Sequence, residues 1–177
     1  MQIEPSLSFS QASKFLKGRK FNLNRAISTY RSYLAAIHKY SLQNITIQDV
    51  KEELRTRKMF IPGSLAKDNS TLFIINAAHH NPNSFTRQQT LSLAFFMAQY
   101  AMESSETQKN GITIISNFKG VSWSNLDIDF QKTIINLFSN NIPLSVKHIV
   151  IYDPPWMLNA LIKIISPFLK QKIRDRV

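Results

Sequence analysis

Between Lys14 and Arg31 the chain carries Lys14, Lys17, Arg19, Lys20, Arg25 and Arg31, with no Asp or Glu among them. Most of these cations read as a solvated charged face, with Lys20 and Arg19 the functional candidates, and the chain's excess of cations implies an anionic partner, phosphate groups first. A second basic run, Lys170, Lys172, Arg174 and Arg176 against Asp175 alone, follows a strongly apolar stretch. A greasy helix running into a basic tail suits an anionic bilayer surface. The other reactive side chains carry less. His79 and His80 are adjacent, so their rings point apart, and no carboxylate or third histidine stands at ligand spacing. They read as loop-structuring residues, and no metal is expected. Asp127 and Asp129 suit the charge of a helix N-terminus better than an acid–base pair. Cysteine is absent, which excludes disulfides, thiolate-bound zinc and a thiol nucleophile. Gly18, Gly63, Gly111 and Gly120 are the only glycines; none forms a phosphate-cradling turn, and no Gly-x-Ser-x-Gly elbow occurs. The expectation is a non-catalytic protein with no cofactor.

Those cations must be positioned by helices. Gln11 to Lys20 reads as a short helix with Ala12, Phe15 and Leu16 inward. Asn22 or Asn24 caps a second helix to about Tyr40, with Leu23, Ala26, Ile27, Tyr30 and Leu34 towards a core. Gln48 to Lys58 is a third. Met59-Phe60-Ile61 enters a Pro62-Gly63 turn as a short strand, and Thr71 to Ala77 is a continuous apolar run of the kind that makes a buried strand. Thr86 and Gln89 form a capping box for a helix to about Ser104. Its inner face holds Leu91, Ala94, Phe95, Ala98 and Met102, with Phe96 and Tyr100 widening the apolar arc. Gly111 to Phe118 is a third strand, placing Ile112, Ile114, Ser116 and Phe118 on one face. Ser124 or Asn125 caps a helix to about Asn140, and Lys147 to Asp153 is a fourth strand. Alternation of strand and helix implies a largely parallel sheet.

From Pro155 onward, Asn159, Lys163, Ser166 and Lys170 share one narrow helical stripe, and apolar residues surround it. Two readings fit: a helix wedged between a sheet and another helix, or a mobile helix between an apolar ligand and a membrane. Pro167 bends it or ends it nearby. At 177 residues and 44% hydrophobic content the chain is one domain, or one domain with a small helical lobe, with room for a core. No apolar run reaches the ~20 residues that span a bilayer and no leader peptide is evident, so a soluble or peripheral intracellular protein is expected. The net charge of +11 leaves both nucleic acid and anionic lipid open. Phe15, Phe21, Tyr30 and Tyr33 are interleaved with the N-terminal cations as in nucleic-acid binders, but sit at the spacing of core residues.

Four segments in order resemble the CRAL-TRIO lipid-binding domain family. KFLKGRKFNLNRAISTYRSY is similar to its N-terminal helical signature, MFIPGSLAKDNSTLFIINA to its first hairpin, and GITIISNFKGVSWSN to its central strand and following loop. DPPWMLNALIKIISPFL is similar to the helix that gates the family's lipid pocket. AAHHNPN, SSETQKNG and IISPFLKQKIRDRV further resemble the branch found at the N-terminus of a non-receptor tyrosine phosphatase. The phosphatase nucleophile is missing, so no enzymatic activity is expected.

The resemblance implies a mixed, mostly parallel sheet flanked by helices, with a small N-terminal helical lobe at residues 1–58 and a lipid-binding α/β domain at residues 59–177. Relative to the family, that domain is C-terminally incomplete. The implied ligand is a phospholipid, phosphoinositide or phosphatidylserine, exchanged with an anionic membrane, with no nucleic acid and no metal. Lys20 of GRKF matches a basic residue that contacts inositol-lipid headgroups in the phosphatidylinositol-transfer branch, with Arg19 beside it. That branch has a second lysine just before PFL, where this chain has Ser166; Lys163, one turn earlier, is the candidate substitute. Acyl chains are expected against Phe73, Ile75, Phe95, Ile114, Phe118, Leu161, Ile165 and Phe168. Trp156, Met157, Lys170, Lys172, Arg174 and Arg176 are expected to gate the pocket and meet the membrane. The implied address is cytoplasmic, peripheral on intracellular membranes such as secretory vesicles. Two rival readings stand: an interaction domain with a vestigial pocket, and a basic nucleic-acid-binding module.

Overall fold

The structure, a computed structural model, describes residues 7–156 together with Leu158. Three helices come first: α1 (Phe9–Gly18), α2 (Leu23–Lys39) and α3 (Ile47–Arg55). Helix α1 starts two residues before the expected point because Ser8 and Gln11 cap it reciprocally. The Ser8 hydroxyl accepts the Gln11 N–H, and the Gln11 side chain accepts the Ser8 N–H. Asn22 caps α2 as expected, accepting the Arg25 N–H at 3.0 Å.

Helix α2 packs one notch round from the face the spacing suggested. Tyr30 and Tyr33 set their rings edge-on to Phe15 of α1, at 5.1 and 5.3 Å, while Ala26, Thr29 and Ala36 are buried. Small residues let helices approach closely, so they win the contact. Leu23 and Ile27, expected in the core, are left exposed.

The sheet follows: β1 (Met59–Phe60), β2 (Thr71–Asn76), β3 (Ile112–Asn117) and β4 (Val146–Tyr152), in that spatial order. Strand β1 is antiparallel to β2, and β2, β3 and β4 are parallel. The parallel pairs require crossovers. One is made by α4 (Arg87–Glu103) with a short α5 (Ser105–Asn110), the other by α6 (Ile128–Asn141). Thr86 and Gln89 form the expected capping box at the start of α4. Asp127, rather than Ser124 or Asn125, caps α6, accepting the Phe130 N–H and a two-pronged Arg87 contact at 2.7 and 2.8 Å. Ser122 and Asn125 instead close a 3₁₀ turn over Trp123–Asn125.

Helix α4 is the hub. Leu91, Phe95, Ala98 and Met102 join Ala36, Leu42, Phe130 and Leu137 in a core shared by α2 and α6. Leu93 and Met97, on its other side, pack on Val50, Phe73 and Ile112 of α3 and the sheet. Tyr100, one of the two residues that widen its apolar arc, is exposed. His79 and His80 structure the loop after β2. His79 Nδ1 lies 2.8 Å from the Thr56 carbonyl, and the Asn125 amide donates to the carbonyls of Ala78 and His80.

Candidate functional site

A parallel strand exposes alternate residues on each face, and register aligns those faces across the sheet. Phe73 stands opposite Ile114, and Ile114 opposite Ile149, so the three form one apolar row across β2, β3 and β4. The next positions on this face, Ile112 and Val146, are also paired. Helix α4 covers only part of this surface. The remainder floors a cavity of about 840 Å³, walled by Ile134, Ile135 and Phe138 of α6.

The opposite wall is polar. Asn24, Ser28 and Ser32 recur every fourth residue of α2, which puts all three on one helical stripe facing the cavity, with Thr29 beside them. Ser139 and Ser145 add hydroxyl-bearing residues from the α6–β4 side. At the lip stand Gly18, Arg19, Lys20 and Arg25. Among the described lining residues, every charged group is cationic.

The lip is fixed by local chemistry. The α1–α2 turn runs Gly18-Arg19-Lys20-Phe21, and Lys20 and Phe21 both have left-handed backbones, with φ of 53° and 59°. Such geometry is unfavourable for residues with a Cβ. It is held by N–H donation from Lys20 to the Lys17 carbonyl and from Phe21 to the Leu16 carbonyl, at 3.0 and 2.8 Å. Arg19 pins the turn to its surroundings. Its guanidinium donates to the Thr29 hydroxyl at 2.8 Å and to the carbonyls of Gly18 and Ile142. Burial first, and the charge of Arg25 second, lower its pKa from the usual arginine value. Arg19 is therefore a structural anchor at the lip with its donors engaged. Lys20 and Arg25 are exposed, with no carboxylate partner among the described residues.

Gly18 matters because the turn touches the chain just before β4. A Cβ there would lie 2.2 Å from the Pro143 carbonyl oxygen, a distance backbone atoms do not tolerate. Gly18→Ala is expected to cost about 1–3 kcal/mol through overpacking, seen as a lower midpoint in urea unfolding. An unchanged midpoint would show that the lip is looser than this contact requires.

Of the residues expected at the site, Arg19, Lys20, Phe73, Ile75 and Ile114 line the cavity together. Phe95 does not. It is buried between helices, its ring stacked 6.0 Å from Tyr33, because its position on α4 turns it towards α2 rather than the sheet. Phe118 lies past the end of β3, where its N–H donates to the Tyr152 carbonyl, and it is absent from the lining. Trp156 is 81% exposed, with its ring edge-on to Trp123 at 6.3 Å. Met157, Leu161, Lys163, Ile165, Phe168, Lys170, Lys172, Arg174 and Arg176 lie outside the described residues. The serine stripe of α2 and the α6 wall were not singled out in the sequence. The fourfold spacing of Asn24, Ser28 and Ser32 was the available signal for the first.

A family model described as the CRAL/TRIO domain matches residues 54–177. Tyrosine-protein phosphatase non-receptor type 9 of Homo sapiens is 28% identical over 173 residues, covering 97% of this chain and 29% of that protein. Alpha-tocopherol transfer protein-like of Mus musculus is 24% identical over 179 residues, covering 98% of this chain and 52% of that protein. The chain thus spans under a third of the phosphatase and about half of the second relative. Among solved structures, the crystal structure of Sfh5 aligns with a TM-score of 0.57 at 14% identity, covering 94% of this chain and 62% of that one. That likeness concerns the fold alone.

Proposed function

The chain belongs to the CRAL/TRIO domain family, and from that premise we propose that it holds one phospholipid and exchanges it at an anionic membrane surface. Domains of this family bind lipophilic ligands and are generally non-catalytic. The observation that carries the finer reading is the cavity's two-sided chemistry. Its floor is aliphatic and aromatic, its α2 wall bears hydroxyls, and its lip is cationic. A phospholipid has the same polarity sequence: acyl chains, ester and glycerol oxygens, then a phosphate. A volume of about 840 Å³ lies within the ~300–1,000 Å³ range of ligand pockets, and each buried methylene contributes about 0.8 kcal/mol.

In this reading the acyl chains lie on Phe73, Ile75 and Ile114. The glycerol region faces Ser28 and Ser32, and Lys20 and Arg25 meet the phosphate. Phosphoinositide and phosphatidylserine are the proposed ligands because both leave net negative charge beyond the ester region. The segment from Trp156 onward, including the basic run Lys170–Arg176, would engage the bilayer while lipid enters or leaves. Among the described residues no helix is long and apolar enough to cross a membrane, and a peripheral association with intracellular membranes such as secretory vesicles is proposed.

Native mass spectrometry of the purified chain, with lipid extraction from the same sample, tests this directly. The expected result is one phospholipid per chain, retained when salt is raised. A chain that is empty, and that stays empty after incubation with liposomes containing phosphatidylserine or phosphatidylinositol phosphate, would sink the proposal.

A further inference from the structure

Three apolar side chains stand out of the α1–α2 corner, and the cavity does not use them. Phe21 is 73% exposed, and Leu23 and Ile27, one helical turn apart on α2, are exposed with it. Isolated exposed apolar residues need no explanation, but three within seven residues of one turn do. Phe21 is also held in the left-handed backbone region, at φ 59°. Strain of this kind persists only where the surroundings impose it; here the Leu16 carbonyl and the Arg19 anchor do so.

The charge around the corner is of one sign. From Leu7 to Gln48 there is no Asp or Glu, and the seven Lys and Arg residues of that stretch supply most of the net charge of +11. Lys14 and Lys17 are engaged with Glu103 and Gln108. Lys20, Arg25 and Arg31 have no carboxylate partner among the described residues. They surround an apolar wedge with cations, which is the chemistry that matches an anionic lipid–water interface.

We infer that the α1–α2 corner is a membrane-docking wedge, with Phe21, Leu23 and Ile27 entering an anionic bilayer while Lys20, Arg25 and Arg31 meet its headgroups. The inference rests on the reading that the chain works at a lipid surface. It places a contact where that reading has none. Gly18 abuts Pro143, just before β4 begins, whereas Trp156 follows the strand's other end. Seven extended residues separate the two by roughly 20 Å. The corner carries Lys20, so docking there brings the cationic lip of the cavity down onto the headgroups.

Phe21→Gly tests the wedge without a folding penalty, because glycine adopts positive φ freely. The variant is expected to unfold at or above the wild-type temperature and to keep its cavity lipid by native mass spectrometry. Its partition onto phosphatidylcholine/phosphatidylserine vesicles should fall about tenfold, the scale of withdrawing one large apolar side chain from the interface. Phe21→Trp, made in a Trp123→Phe, Trp156→Phe background and compared with that background, should bind no worse than it and show blue-shifted emission on those vesicles but not on phosphatidylcholine alone. Wild-type partition by Phe21→Gly, or emission of Phe21→Trp that does not shift on the anionic vesicles, overturns the wedge while leaving the lipid cavity standing. A wild-type chain that neither takes up lipid nor binds vesicles overturns both readings.

Discussion

Glu53→Ala is expected to lower the unfolding temperature by about 10–15 °C. Glu53 on α3 and Lys58, just before β1, are 3% and 2% exposed and form an ion pair. The Lys58 ammonium also donates to the Thr90 hydroxyl of α4 at 3.0 Å and lies 3.2 Å from His80 Nδ1. Thr90 in turn donates to Glu53. The cluster thus ties the N-terminal helices to α4 and to the loop after β2. Removing the carboxylate leaves a buried ammonium uncompensated, which costs about 3–5 kcal/mol. For a chain of this size each kcal/mol is worth about 2–4 °C.

The sign of the pH response identifies the cause. Burial pulls the Lys58 pKa below its ordinary value, and Glu53 opposes that pull. Without Glu53 the unfolded chain holds the lysine proton to higher pH than the folded one. Stability of Glu53→Ala should therefore recover as pH rises towards 10.5, the ordinary pKa of a lysine side chain. The double change Glu53→Leu, Lys58→Met should lose much less than the single one, because it removes both charges together. Thermal unfolding followed by circular dichroism across pH reads all three outcomes. A single variant within about 2 °C of wild type would show that the pair is not buried in solution.

This cluster also marks the limit of what the sequence made legible. Local pattern located the four strands and the larger helices: a Pro62-Gly63 turn marked the first strand, a continuous apolar run the second, alternation the third, and helical spacing the helices. The Thr86–Gln89 capping box was readable for the same reason, since both partners lie within one turn. The capping box of Ser8 and Gln11 was equally local and was overlooked beside the weak apolar pattern around it. Helix α5, SETQKN, has almost no apolar residue, and only the Ser104 cap announces it. Lys58 meets Thr90, thirty-two residues later, and nothing near Lys58 hints at that partner.

The same distinction applies to the site. The family resemblance singled out Phe73, Ile75, Ile114 and Lys20, and all four line the cavity; alternation gave strand faces without saying which of them faces it. Phe95 was misassigned because helical spacing identifies a buried face without saying what buries it. Leu23 and Ile27 were misassigned for a related reason. The apolar arc of α2 is broader than its contact surface, and the small residues Ala26, Thr29 and Ala36 set the closest approach. The surplus became the exposed corner.

Ile114→Trp should abolish lipid retention while leaving the fold intact. Ile114 is the middle of the Phe73–Ile114–Ile149 row and is only partly buried, so its side chain projects into the cavity rather than a filled core. A tryptophan there can grow into free space, which avoids the 1–3 kcal/mol penalty typical of overpacking a dense core. The ring would occupy volume that the reading assigns to about four methylenes of an acyl chain. At about 0.8 kcal/mol each, their exclusion weakens binding on the order of a hundredfold. Native mass spectrometry should then show an empty chain where wild type carries one phospholipid, with unfolding temperatures within a few degrees. Ser28→Ala provides the contrast. It removes one hydroxyl from the α2 wall, a loss of about 0.5–1.5 kcal/mol if that group bonds the ligand, so lipid should persist at reduced affinity. If Ile114→Trp still retained a full complement of lipid, the acyl chains would have to lie elsewhere, and the sheet face of β2–β4 would no longer be the floor of the binding site.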